Sequence, residues 1–225
     1  MFIEMSYPIS TDIPVFPGSP KEKFIPYMRI SKGDICNSTV LHHFLHNGTH
    51  IDSPYHFYSQ GKTIDQIPIE NFCYTKPLII HKKLTMGGLI QPEDLKVYGA
   101  SLYKADILML CTGYYSLRHN RDDYTNDFPA LSLGAAKLIR EELLNLKAIA
   151  IDSLSIESSK LGPVQNNIVH KTLLAGDIYT TRPVLVFEDV NIGVILEKKV
   201  IRILAFPIRL TGMDAAPVSM VAEVL

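Results

Sequence analysis

His46-Asn47-Gly48-Thr49-His50-Ile51-Asp52-Ser53-Pro54-Tyr55-His56-Phe57 is the stretch from which the rest of the chain is read. His46, His50, Asp52 and His56 share one parity, so an extended backbone sends all four side chains to the same face. A helix fails this test. At about 100° per residue it would turn Asp52 roughly 160° away from His50, and Gly48 and Pro54 would both weaken it. A straight strand would set the alpha carbons of His46 and His50 about 13 Å apart. That is near the limit of reach for two imidazoles bound to one ion at roughly 2.0–2.1 Å. The chain must therefore bend, which Gly48 permits, and Pro54 sets a second change of direction before His56. Scattered, hydrogen-bonded core histidines are the plain alternative. Four ligand-type residues on one face around a glycine favour a metal site, and imidazole with carboxylate suits zinc, manganese or iron(II) alike.

With 225 residues and 47% hydrophobic content, the chain is long enough for one substantial core and short for two. One domain over residues 1–225 is the expectation. A net charge of -1 gives no basic stripe for nucleic acid. The start, Met1 to Ser6, lacks the pattern of a signal peptide, and no apolar run reaches the roughly eighteen residues of a membrane span. A cytoplasmic protein is expected, with Cys36, Cys73 and Cys111 as reduced thiols because their spacing fits neither a disulfide set nor a zinc knuckle.

Further along the chain, residues 2–30 read as edge strands and loops, punctuated by Pro8, Pro14, Pro17 and Pro20. Residues 35–46 read as the strand that delivers His46, with His42 and His43 on opposite faces and His42 in a structural role near the ligands. Segments 77–81 and 105–111 read as buried strands. Thr112-Gly113-Tyr114 is a turn that either presents amides to a site or is only a turn. The polar stretch 118–129 reads as a loop that covers the pocket or is solvated. Ser132 caps a helix over 132–146, whose stripe of Ala136, Ile139, Leu143 and Leu146 is core. A strand at 148–151 continues the α/β alternation, a second helix runs over 167–174, and two strands fill 200–225 around a turn at 211–216. Asp214 is read as the anchor of that turn, with no catalytic role.

The 46–56 stretch resembles the His-x-Gly-Thr-His-x-Asp-x-Pro-x-His signature of the cyclase-like metal-dependent hydrolases, which include bacterial kynurenine formamidases and isatin hydrolases. Pro14-Val15-Phe16-Pro17-Gly18, Leu110 to Tyr114, Ile151 to Ile156 and Gly212 to Pro217 are also similar to that family. The resemblance implies an α/β fold with a mixed, barrel-like sheet flanked by helices, of the swivelling β/β/α type. It implies Zn²⁺ or Mn²⁺, one ion or two, on His46, His50 and Asp52, with His170 and Glu188 completing a second ion. The family's glutamate lies twelve residues past its histidine. Here that spacing falls on Arg182, so Glu188 is aligned instead and about six residues are inferred to be inserted before it. Phe16 stands where the formamidases carry a pocket tryptophan; it is read either as a substrate-binding aromatic or as a loop residue on its own prolines. A homodimer is implied as well.

An ion on these ligands would supply hydroxide at neutral pH and polarise a carbonyl. His56, four residues past the last ligand, fits proton transfer, since an imidazole with its ordinary pKa of about 6.5 exchanges protons near neutrality. The resemblance gives the motif's last histidine the same task. The expected reaction is hydrolysis of a non-peptide C–N bond in a small carbonyl compound, arylformamides leading and isatin-type cyclic amides second. A catalytically silent, metal-stabilised ligand-binding protein is the rival.

Overall fold

The computed structural model describes residues 1–225, the side chain of Arg121 apart. Its strands are β1 (Phe2–Glu4), β2 (Lys23–Met28), β3 (Ser38–His42), β4 (His50–Asp52), β5 (Cys73–Tyr74), β6 (Pro77–His81), β7 (Leu89–Ile90), β8 (Ile107–Cys111), β9 (Ala130–Leu131), β10 (Ala148–Ile151), β11 (Leu185–Glu188), β12 (Val200–Pro207) and β13 (Ala215–Val224). The helices are α1 (Pro92–Lys96), α2 (Ala100–Lys104), α3 (Arg121–Thr125), α4 (Leu133–Glu142), α5 (Leu161–Val164) and α6 (Ile168–Leu174).

The main sheet is mixed and nine-stranded, in the order β5-β12-β13-β4-β11-β10-β8-β6 with β1 on β13. Pairing is parallel from β11 through β10 and β8 to β6 and antiparallel elsewhere. The far strand β6 comes back into contact with β12, so the sheet curls into a nearly closed barrel. This is the barrel-like α/β architecture that the resemblance implies.

Side-chain alternation separates two cores. Ile107, Met109, Ala148, Ala150, Leu185, Phe187 and Ile51 point into the barrel with Phe72, Tyr74 and Met220. Leu108, Leu110, Ile149, Ile151 and Val186 point outward, where Leu95, Leu102, Ile139 and Leu173 of the helices cover them. Strands buried on both faces read as continuous apolar runs, as 107–111 and 148–151 do. The alternation also places the site. Because Ile51 points inward, His50 and Asp52 point to the helix side, and Glu188 shares that side with Val186.

Several elements differ from the sequence reading. The strand expected over 35–46 ends at His42 and belongs to a separate two-stranded hairpin with β2. His46 is delivered by a turn instead. His42 is exposed near the end of that hairpin, and it is His43 that turns inward, its Nδ1 3.2 Å from Oε1 of the buried Glu22. The helix begun by Ser132, whose hydroxyl accepts from the Ala135 N–H, stops at Glu142; Leu143 and Leu146 stay in the core without it. The stretch 118–129 contains α3, and its Tyr124 and Phe128 are fully buried in a small cluster with Tyr114 and Leu154. Thr112 and Gly113 give their amides to the Asp152 carboxylate (2.9 Å each), so that turn presents nothing to the site.

Candidate metal centre

Asp52 lies at the centre of the site. It is fully buried, and its pairing partner across the sheet is Val186, while Glu188 pairs with His50. Two ligand-type residues from the motif and one from a strand more than a hundred residues away are thus juxtaposed by register alone. Gly48, with φ +68°, makes the bend that folds His46 back over Asp52. The other motif positions hold the frame. Thr49 Oγ1 accepts from the Tyr7 N–H (2.9 Å) and donates to the Asp189 carbonyl (2.6 Å), and Ser53 donates through N and Oγ to the Asp214 carbonyl, 2.9 Å each. Pro54 opens the single helical turn 54–56 that presents His56.

The geometry matches a metal's requirements. Ligand atoms about 2.0–2.1 Å from one centre stand roughly 3.0–3.4 Å from each other. Here His46 Nδ1 is 2.9 Å from Asp52 Oδ1, and His50 Nε2 is 3.4 Å from Asp52 Oδ1 and 3.4 Å from Glu188 Oε2. His170 Nε2 is 3.2 Å from Glu188 Oε1 and 3.6 Å from Asp52 Oδ2. Yet His50 Nε2 and both Asp52 oxygens are buried without a hydrogen-bond partner. They stand near one another without being aimed at one another, as lone pairs do when they converge on a shared centre. Two overlapping groups arise, His46–Asp52–His56 and His50–Asp52–Glu188, with Asp52 common to both.

Neighbouring groups fix the tautomers. His50 Nδ1 lies 2.9 Å from the Gly48 carbonyl, which only accepts, so in the neutral ring the proton sits on Nδ1 and Nε2 is the nitrogen left for an ion. His170 Nδ1 donates to Glu157 Oε2 at 2.8 Å, with the same result for its Nε2. His46 Nε2 donates to Asp214 Oδ2 at 2.8 Å, and His56 Nδ1 lies 3.3 Å from the same oxygen. Burial lowers the pKa of His170 and of His46, but the carboxylates win. Glu157, Glu188 and Asp52 raise His170 to about 10, and Asp52 with Asp214 raises His46 to about 9. Burial works to raise Asp52, and His56 and His46 hold it well below the usual carboxylate range. Hydrogen bonds from His46 and His56 likewise depress Asp214. Four carboxylates crowd this space, and only cations, whether protons or metal, make that tolerable.

All the residues singled out in the sequence meet here. His46, His56, His170, Glu188 and Phe16 line one cavity of about 310 Å³, with Phe57 stacked on His170 at 4.8 Å and Phe16 edge-on to Phe128 at 6.1 Å. Arg182 points elsewhere, its Nε donating to the Leu146 carbonyl (3.1 Å), while Glu188 reaches the site. The loop before β11 is held by the buried Arg140, which donates to the carbonyls of Leu173 (2.5 Å), Ala175 (3.2 Å) and Thr181 (3.0 Å). Two residues escaped the sequence reading. Glu157 directly follows the Ile151–Ile156 stretch, and Asp214, read as a turn anchor, directs its carboxylate at His46 and His56.

Known proteins resemble this chain in sequence or in fold. A kynurenine formamidase from Bacillus mycoides is 24% identical over 218 residues, covering 96% of this chain and 94% of that one. Isatin hydrolase A from Labrenzia aggregata superposes with a TM-score of 0.83 at 16% identity, covering 99% of this chain and 93% of the other. A structure described as a predicted metal-dependent hydrolase from Bacillus stearothermophilus superposes with a TM-score of 0.74 at 22% identity, covering 99% and 97%. The sequence profile of the family described as "Putative cyclase" matches residues 3–158, well over half of the chain, and the chain belongs to that family.

Proposed function

We propose that residues 1–225 act as one metal-dependent hydrolase domain that cleaves a non-peptide amide C–N bond in a small carbonyl compound, an arylformamide first and an isatin-type cyclic amide second. The observation that carries this reading is the convergence of unpartnered, buried lone pairs of His50 and Asp52 behind His46, His170 and Glu188, which line a cavity that also displays an imidazole, His56. The names of its relatives, kynurenine formamidase and isatin hydrolase, point to the same bond type.

In this reading His46, His50 and Asp52 hold one Zn²⁺ or Mn²⁺, and His170 and Glu188, with Asp52 shared, hold a second. A divalent ion there lowers the pKa of water and polarises the scissile carbonyl. The chain's own residues do the rest. His56 Nδ1 lies 3.3 Å from Asp214 Oδ2; with its proton on that side, Nε2 is able to take a proton from the attacking water and return it to the departing nitrogen. Phe16, Phe57 and Phe44 line the cavity and offer aromatic faces to an aryl group. The β2–β3 hairpin exposes Tyr27 (74%), Ile30 (58%) and Ile35 (94%), which supports a homodimer in which a second copy covers it. Free thiols at Cys36, Cys73 and Cys111 suit a cytoplasmic setting.

The test is turnover of formanilide, isatin and a simple aryl lactone by protein loaded with zinc or with manganese. Hydrolysis of formanilide or isatin, abolished by chelation, is the expected result. A correctly metallated protein inert to the whole panel would favour the silent ligand-binding alternative.

A further inference from the structure

A second cavity, of about 280 Å³, shares no lining residue with the metal site. The two lie against the same turn: Pro54 and Tyr58 face this cavity, His56 and Phe57 the other. Its charge is one-sided. Lys62, Lys147 and Arg182 line it and no carboxylate does; Glu70 and Asp177, each adjacent in sequence to a lining residue, do not reach its wall. The Arg182 guanidinium is held by the carbonyls of Leu146 (3.1 Å) and Asn145 (2.5 Å), which orient it without neutralising it. Among the described residues, no ion pair or hydrogen bond engages the ammonium group of Lys62 or Lys147. The Asp65 carboxylate is taken by the Thr63 hydroxyl (2.7 Å) and the Gly212 N–H (2.9 Å), and that of Asp106 by the N–H groups of Thr75 (2.7 Å) and Lys76 (2.9 Å).

Between the cations the wall is apolar, built from Ile67, Leu185 and the ring of Tyr58 among others. Two glycines let its walls approach closely. A Cβ on Gly61 would fall 2.5 Å from the Pro54 carbonyl carbon, and one on Gly176 would fall 3.3 Å from the Tyr58 ring. Like charges around a concave, low-dielectric wall focus positive potential into it, and a mostly apolar concavity with a few convergent charged groups is the usual form of a small-molecule site.

We propose that this cavity binds a small organic anion, a carboxylate carried on an apolar body, at a site separate from the metal centre. The inference stands apart from the hydrolase reading, because none of its residues belongs to the metal site. Lys147 and Arg182 draw the carboxylate, and Ile67, Leu185 and Tyr58 take the hydrocarbon. An anion without the body lacks half of the recognition, and so does a body without the charge.

The test is calorimetric titration of the metal-loaded full chain with benzoate, benzyl alcohol and inorganic phosphate. Wild type is compared with the double variant Lys62→Gln/Lys147→Gln and with Arg182→Gln. The expected result is saturable benzoate binding that weakens about tenfold or more both in the double variant and in Arg182→Gln, at unchanged metal content, with benzyl alcohol and phosphate both weaker than benzoate on wild type. Equal benzoate affinity in wild type and both variants would place the anion elsewhere and overturn the proposal, as would the absence of saturable binding. Phosphate binding as tightly as benzoate would overturn the organic body.

Discussion

Replacing Glu157 by glutamine should loosen the ion on His170 without unfolding the protein. The Glu157 carboxylate is buried and accepts three N–H groups: Val169 N at 3.1 Å on Oε1, and His170 N at 3.1 Å and His170 Nδ1 at 2.8 Å on Oε2. It thereby caps the start of α6 and fixes the tautomer of a ligand in one stroke. Gly162 allows this close approach, since a Cβ there would lie 3.1 Å from the Glu157 Cγ. Glutamine keeps the shape and one acceptor oxygen, which continues to serve His170. Its NH₂ then faces the Val169 N–H, donor against donor, which costs about 1–3 kcal/mol for the unsatisfied group. Loss of the charge also makes the imidazole a weaker ligand. Removing such an outer partner lowers metal affinity about 10–100-fold, or about 1.4–2.7 kcal/mol. Chelator competition on wild type and Glu157→Gln, with melting curves of the metal-stripped proteins, measures both quantities. A folded Glu157→Gln protein with wild-type affinity for every equivalent of metal would refute the claim that Glu157 holds a ligand in place.

Metal affinity should climb with pH. In the metal-free protein His46 and His170 keep their protons up to about 9 and about 10, so binding must expel protons below those values and apparent affinity rises until they are passed; a flat profile between pH 6 and 9 would contradict the ion-pair geometry. Gly48→Ala places a side chain at φ +68°, a strain of about 1–2 kcal/mol, and should lower both melting temperature and metal content; no change in either would remove the bend from the account. Arg118 makes a two-pronged contact with the buried Asp189 (2.8 and 2.6 Å) beneath the Tyr7 ring. Arg118→Met leaves that buried carboxylate without its cation, the Tyr124 hydroxyl (2.7 Å) still donating to it, at a cost of about 3 kcal/mol or a fall in melting temperature of about 10 °C; a shift under 3 °C in a calorimetric scan would mean the pair is dispensable.

How much of this was legible before the structure depends on how far apart the partners lie. The parity of His50 and Asp52 and the bend at Gly48 are local and hold in β4, whereas His46 and His56 reach Asp52 from a turn and a helical turn that parity in an extended strand does not describe. His170 and Glu188 could be aligned only through family resemblance, because register between β4 and β11 is a long-range property that no spacing within the motif encodes. Asp214 joins His46 from 168 residues away, and its family-like stretch gave no hint of where the carboxylate points. Elements of four or five residues, such as α3, are too short to show a period, so 118–129 read as loop although Tyr124 and Phe128 are core. The stripe Ala136–Leu146 did mark buried residues, but apolar spacing cannot say that the helix stops at Glu142 while its last leucines stay inside.

The most direct test of the central claim is metal per chain and formanilide or isatin turnover, measured on the same samples of wild type, His56→Ala and His50→Ala. The account predicts that His56→Ala keeps the wild-type metal content and loses most turnover, whereas His50→Ala loses metal and activity together. Full turnover in His56→Ala, or metal lost from it as readily as from His50→Ala, would contradict the assignment of His56 as the proton carrier beside a metal held by its neighbours.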